Sequence, residues 1–245
     1  MPGPAGQQVT VSDARDNGYR AVPDFYRSVM VPSFAADELE SEEELMNGLR
    51  SGRSRVLTAA DEDGTVLGGA VGECFPRSGV VLLAYLAVRP GGRGSGAGSV
   101  LLRAARDAWT AELSPRLIVL EVEDPRDFAG SESFGDPVAR VRFYERHGAR
   151  ALPIPYLQPA LGPDTARVPG LMLMVMGGSA AAATVEGKLV SDFLTEYFEE
   201  FEGPAVPGDA ELELLLAACA RPGGLPLLTI DELPPAAERR NIAWR

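Results

Sequence analysis

The stretch that most narrows what this chain can become runs from Leu83 to Leu102, Leu83-Ala84-Tyr85-Leu86-Ala87-Val88-Arg89-Pro90-Gly91-Gly92-Arg93-Gly94-Ser95-Gly96-Ala97-Gly98-Ser99-Val100-Leu101-Leu102. It opens as an apolar run with the length of a buried strand, breaks at Pro90-Gly91-Gly92, and passes through alternating glycines into a helix-forming segment. A strand that enters a helix through glycine makes an anion site. The first turn of a helix leaves backbone N–H groups without partners at the positive end of its dipole, and phosphate oxygens satisfy them. Glycine lets the backbone come close to such a group and enter φ > 0 without steric cost. Packing alone would not ask for Gly94, Gly96 and Gly98 together, since a helix-interior glycine costs about 1 kcal/mol relative to Ala.

The spacing separates phosphate ligands. A dinucleotide fingerprint needs glycines at its first, third and sixth positions, and counting from Gly94 puts Ser99 at the sixth. The ATP-type loop needs a Gly-Lys-Ser/Thr ending, which the chain lacks. The order Val88-x-Pro90-x-x-Arg93-Gly94-x-Gly96-x-Gly98, after a strand and before a helix, resembles the acyl-CoA pyrophosphate loop of the GNAT superfamily of N-acetyltransferases. The resemblance runs roughly from Ser54 to Met176.

It implies an α/β (α+β) fold: a mixed, mostly antiparallel sheet with a central parallel strand pair flanked by helices. It also implies acetyl-CoA as cosubstrate. Leu86, Ala87 and Val88 would bond pantetheine along the splayed strand edge, and a backbone N–H there would polarise the thioester carbonyl. Arg93, Gly94, Ser95, Gly96, Ala97, Gly98 and Ser99 would hold the pyrophosphate.

A chain of 245 residues allows one large domain, or one domain with an appendage. The expected divisions are a flexible tail over 1–7, a GNAT-like acyltransferase domain over 8–177, a helical appendage over 183–221 and a C-terminal tail over 222–245. The net charge of −12 argues against nucleic acid as a partner and permits cationic substrates. No apolar run has the length of a membrane span, and the N-terminus lacks a basic region and an apolar signal core, so the expectation is a cytoplasmic protein without a membrane partner. Cys74, Cys219 and the sole histidine, His147, make no disulfide framework and no metal-site pattern; no metal is expected.

Taken in order, Val9-Thr10-Val11 reads as a first strand and Tyr19–Val31 as helical. Ser41 with Glu44 forms a capping box for a helix to Leu49. An antiparallel meander follows over Arg55–Ala60, Val66–Phe75 and Val80–Val88, its first turn at Asp61-Glu62-Asp63-Gly64. A helix over about Gly96–Leu113 leads to the apolar strand Leu117–Glu123, and a strand-helix-strand unit of this kind makes its two strands parallel. Asp124–Asp136 reads as a polar loop, Pro137–Arg146 as a helix ended by Gly148, and Arg150–Gln158 with Val168–Met176 as a final strand pair. Leu189, Val190, Phe193, Leu194, Tyr197, Phe198 and Phe201 then fall on one helix face, with Glu196, Glu199, Glu200 and Glu202 elsewhere. This appendage leaves packing on the sheet, covering the cleft or building a homodimer open; the last residues, Pro234 onward, read as loosely held.

Acyl transfer from a thioester to an amine needs a base for the ammonium and an acid for the departing thiolate. Glu121 ends an apolar strand, where desolvation raises the carboxyl pKa toward a value useful for a base. It also aligns with the Leu-Glu-Val segment of ribosomal-protein N-terminal acetyltransferases in the superfamily, whose glutamate is the base. Glu73 and Glu123 are its rivals. Tyr144, within Phe143-Tyr144-Glu145 ahead of Gly148, resembles the superfamily's general acid. The expected function is N-acetyl transfer from acetyl-CoA to a primary amine, on a small molecule, by direct attack in a ternary complex. A protein or peptide N-acetyltransferase and a non-catalytic acyl-CoA sensor are the alternatives.

Overall fold

The computed structural model describes residues 9–35, 38–92, 96–128, 135–162, 165–176 and 183–239. The chain divides into two compact units, one drawn from residues 1–74 and 83–114, the other from 75–82 and 115–245. No helix among the described residues is long and apolar enough to cross a membrane.

In the first unit β1 (Thr10–Asp13) leads to α1 (Val22–Phe25), which widens into a π-type segment over Tyr26–Met30 closed by Val31 N–H donating to the Tyr26 carbonyl at 3.0 Å. The expected helix Tyr19–Val31 is thus real in place but not regular. α2 (Glu42–Ser51) starts at the foreseen capping box: the Glu44 amide donates to the Ser41 hydroxyl, and the Glu44 carboxylate accepts from the Ser41 amide. Then come β2 (Ser54–Ala60), β3 (Val66–Phe75) and β4 (Val80–Val88). The Asp61 carboxylate closes the β2–β3 turn by accepting from the amides of Asp63 and Thr65, with Gly64 at φ 80. α3 (Ala97–Leu113) ends this unit.

Two glycines of β3 mark close approaches. A Cβ at Gly72 would lie 2.7 Å from the Trp109 ring, and one at Gly69 would lie 2.6 Å from the Phe25 ring. Both large rings are fully buried, so the strand must carry glycine there for helices to lie flat on it. Val29, Met30, Leu45, Leu49, Val56, Val71 and Tyr85 complete the apolar cluster around Phe25.

In the second unit β5 (Leu117–Glu123) is followed by α4 (Pro137–Arg146), whose first turn is capped by the Asp136 side chain. The strand expected over Arg150–Gln158 is broken into β6 (Arg150–Ala151) and β7 (Leu157–Gln158). Pro153 and Pro155 lie between them and have no N–H to give a ladder. Its partner divides at Gly170, φ 86, into β8 (Val168–Pro169) and β9 (Leu171–Met176). β7 pairs with β8, and β9 pairs antiparallel with β5, setting Glu121 opposite Leu173.

The main sheet has the order β1-β2-β3-β4-β5-β9-β6. Its ladders β1–β2, β2–β3, β5–β9 and β6–β9 are antiparallel. β4 and β5 run parallel, their entries tied by Arg116 N–H donating to the Gly79 carbonyl at 2.8 Å. This is the mixed, mostly antiparallel sheet with one parallel pair that the sequence led us to expect.

After β10 (Thr184–Val185) the second unit carries α5 (Gly187–Glu202) and α6 (Ala210–Cys219), the latter capped by Asp209. The apolar face of α5 is buried as foreseen, but Glu196 is buried too. Its carboxylate accepts from the amides of Arg77 and Ser78, the turn that leads into β4. β11 (Leu225–Pro226) pairs with β10, and α7 (Ala236–Arg239) follows. Residues read as loosely held from Pro234 onward include Arg239, which is buried and donates to the fully buried Asp124 carboxylate at 3.0 Å.

Candidate functional site

Site residues expected from sequence are distributed over both units. In the first, the exit of β4 presents Leu86 and Val88 half-buried, with Ala87 buried between them. Gly68 of β3 lets the strands pack closely here, since a Cβ on it would sit 2.6 Å from the Ala87 carbonyl oxygen. Arg89 is tied down: its amide donates to the Leu67 carbonyl at 2.7 Å and its Nε to the Val66 carbonyl at 3.0 Å. Arg93, Gly94 and Ser95 lie outside the described residues.

Gly96 is the N-cap of α3, at φ 87, and as a glycine it brings no capping side chain of its own. α2, α4 and α6 each accept a first-turn amide on a Ser or Asp side chain. Ala97, Gly98 and Ser99 form the first turn of a seventeen-residue helix, Ala97 buried and the other two half-buried. A phosphate oxygen is a fitting partner for the positive end of its dipole.

The same unit holds Glu73, late in β3 and 5% exposed. Arg53 Nη1 lies 3.1 Å from its Oε1, and Arg53 Nη2 lies 3.8 Å from Oε2 of Glu40. Burial above all, and then the negative charge of Glu73, push the Glu40 carboxyl up to about 8; Arg53 pulls the other way. Glu40 is held in this place by its backbone: its amide donates to the Tyr85 hydroxyl, and its carbonyl accepts from the Tyr26 hydroxyl. The sequence reading passed over Glu40. It sits just before a capping box in a stretch without periodicity, and the tyrosines that bury it come from α1's extension and β4.

In the second unit, Glu121 of β5 accepts hydrogen bonds from side chains later in the chain. The Tyr156 hydroxyl donates to Oε1, Gln158 Nε2 donates to Oε2 at 2.8 Å, and the Tyr197 hydroxyl lies 3.3 Å from each oxygen. Tyr156 and Tyr197 are buried and Gln158 half-buried, so the donors are held by packing. Burial, with the charge of Glu121 beside it, drives the Tyr156 phenol well above its ordinary value, so it remains a donor at neutral pH. Glu123, the other candidate on this strand, is ion-paired to Arg140 at 2.8 Å.

Tyr144 lies on the buried face of α4, its ring 5.2 Å from that of Phe143. Burial raises its phenol to about 12 against a smaller lowering by Arg140, so it carries its proton throughout the neutral range. His147 ends the helix, in ring contact with Phe143 at 4.8 Å.

Residues 52–148 match the family model for the acetyltransferase (GNAT) domain. No curated protein matches the chain. Among solved structures, a Bacteroides thetaiotaomicron protein described as an acetyltransferase of the GNAT family aligns over 69% of this chain and 86% of its own, at 24% identity and a TM-score of 0.51. The ribosomal-protein-S18-alanine N-acetyltransferase of Escherichia coli aligns over 69% and 93%, at 17% identity and a TM-score of 0.47. The spermidine/spermine N-acetyltransferase of Vibrio cholerae aligns over 71% and 95%, at 16% and 0.48. At 24% identity the first of these likenesses is one of fold alone. β2 to α4 lie inside the matched span, so this part of the chain resembles an acetyltransferase (GNAT) domain.

Proposed function

We propose that the chain transfers the acetyl group of acetyl-CoA to a primary amine of a small molecule, by direct attack in a ternary complex, with the transferase domain spanning residues 8–177 and residues 183–221 appended to it. The observation that carries the donor side is α3, a long helix that follows β4 and opens on Gly96, in the left-handed region and with no capping side chain of its own. The pyrophosphate binds there, on the backbone of Arg93 to Ser99, and the pantetheine amides bond the edge at Leu86, Ala87 and Val88. The net charge of −12 supports a cationic acceptor.

An alkyl ammonium has an ordinary pKa near 10, so the acceptor arrives protonated. Glu121 takes that proton, directly or through water, and Glu73 is the alternative base. The freed nitrogen attacks the thioester carbonyl, whose developing oxyanion is met by a backbone N–H at the β4 edge. The carbon–sulfur bond then breaks, Tyr144, protonated up to about pH 12, gives the thiolate its proton, and the proton that the attacking nitrogen sheds as the amide forms restores the phenol. No covalent enzyme intermediate is needed.

The test is calorimetric CoA binding followed by thiol release from acetyl-CoA against amino acids, polyamines, aminoglycosides and short peptides. CoA binding with turnover on a small amine is the expected result. Turnover on peptides alone would overturn the small-molecule reading, binding without any turnover would point to a sensor, and no binding would overturn the assignment of the glycine turn.

A further inference from the structure

α5 lies outside the span matched by the family model, yet it contributes a donor to Glu121. Tyr197 stands in an aromatic stack, 5.5 Å from Phe193 and 5.3 Å from Phe75, and is 1% exposed. Its hydroxyl therefore has a fixed position, equidistant from the two carboxylate oxygens. Tyr156 is locked as firmly: it follows Pro153 and Pro155, its amide donates to the Ile154 carbonyl at 2.8 Å, and β7 begins at the next residue. Gln158 comes from β7 itself.

We propose that Tyr197 of the appended helix, together with Tyr156, is a positioning residue for acetyl transfer, its hydroxyl holding the Glu121 carboxylate in the orientation and ionised form in which it accepts the acceptor's proton. The inference rests on the reading of Glu121 as the base. Each O–H donor stabilises the carboxylate over the carboxylic acid, and a rigid donor holds its orientation. Among the groups that face Glu121 are Tyr156 from the segment ahead of β7, Gln158 from β7 and Tyr197 from α5; β9 sets Leu173 opposite it, and Arg140 of α4 is engaged by Glu123. On this account the appendage is part of the catalytic machinery. A transferase domain cut after Met176 would lack one of its hydroxyls.

The test uses the full chain with Tyr197→Phe and Tyr156→Phe, which keep the buried rings and remove only oxygen, beside Glu121→Gln. The first readout needs no acceptor: titration of the Glu121 carboxyl by NMR of protein carrying carbon-13-labelled glutamate, with the signal assigned by its loss in Glu121→Gln. The titration midpoint is expected to rise by about one pH unit in either Phe variant. The second is the pH profile of kcat/KM with acetyl-CoA and the amine turned over fastest in the panel above. Its acid limb is expected to move upward by the same amount, with about tenfold loss on that limb and unchanged CoA affinity. An unmoved midpoint, or a loss equal at all pH values, overturns the proposal. Full activity in Glu121→Gln instead overturns the reading of Glu121 as base, a failure that the titration arm distinguishes.

Discussion

Glu40 gives the chain a pH-dependent stability that can be worked out from its surroundings. Its carboxyl titrates near 8 in the folded chain because burial, and secondly the charge of Glu73, oppose ionisation, while the unfolded chain returns it to about 4.5. Between these values the folded state holds a proton that the unfolded state has released. Stability from this group is therefore complete below pH 4.5 and is lost as the pH climbs through 8. At about 1.4 kcal/mol per unit the whole window is worth about 5 kcal/mol. Replacing Glu40 by Gln keeps the shape and a neutral head while abolishing the titration, and Arg53 keeps Glu73 as its partner at 3.1 Å. Urea unfolding of both proteins at pH 5, 6.5 and 8 should show Glu40→Gln gaining on the parent by several kcal/mol between the lowest and the highest pH. An offset that stays constant across the three would refute the reasoning, since a difference independent of pH cannot come from a proton bound only in the folded state.

Two further outcomes follow from packing and from burial. Gly187 begins α5 with its backbone against α6, where a Cβ would lie 1.9 Å from the Cys219 carbonyl oxygen. Gly187→Ala should therefore destabilise by about 3 kcal/mol and lower the melting temperature by about 6–12 °C, whereas Gly162→Ala, with nothing within 4 Å, should leave it unchanged; calorimetric melting of the pair decides. Tyr144→Phe should lower kcat about 100-fold with CoA affinity retained. Because the phenol titrates near 12, the parent's kcat should show no basic limb from this residue below about pH 10; a variant at parental kcat would remove Tyr144 from the mechanism.

What could be read from the sequence was whatever a few consecutive residues decide. Ser41 and Glu44 are three apart and cap one another, Asp61 closes a turn on Thr65, and the β3 and β4 runs carry their own length and apolar character. The parallel pair followed in the same way, from the helix that must separate its strands. Over Arg150–Gln158 the expected strand is broken at two prolines, whose missing N–H groups are themselves plain in the sequence.

The chemical state of the candidate site belongs to another class of information. Glu121 could be named from its strand, but its donors Tyr156 and Tyr197 stand 35 and 76 residues away. Glu196 looked like one more solvated acid of α5 and is instead the acceptor for two turn amides 118 and 119 residues before it. Glu40 carries no pattern at all, and its raised pKa comes from burial and from the charge of Glu73, 33 residues on, against the pull of Arg53. Hydrophobic periodicity reports which face of an element is covered and is indifferent to what a carboxylate meets there. A carboxylate responds to little else, because a few ångströms decide between desolvation, which keeps its proton, and a donor, which removes it. Thus a sequence can nominate a base from its place on a strand, while whether that base is ionised at neutral pH is fixed by residues that no local pattern connects to it.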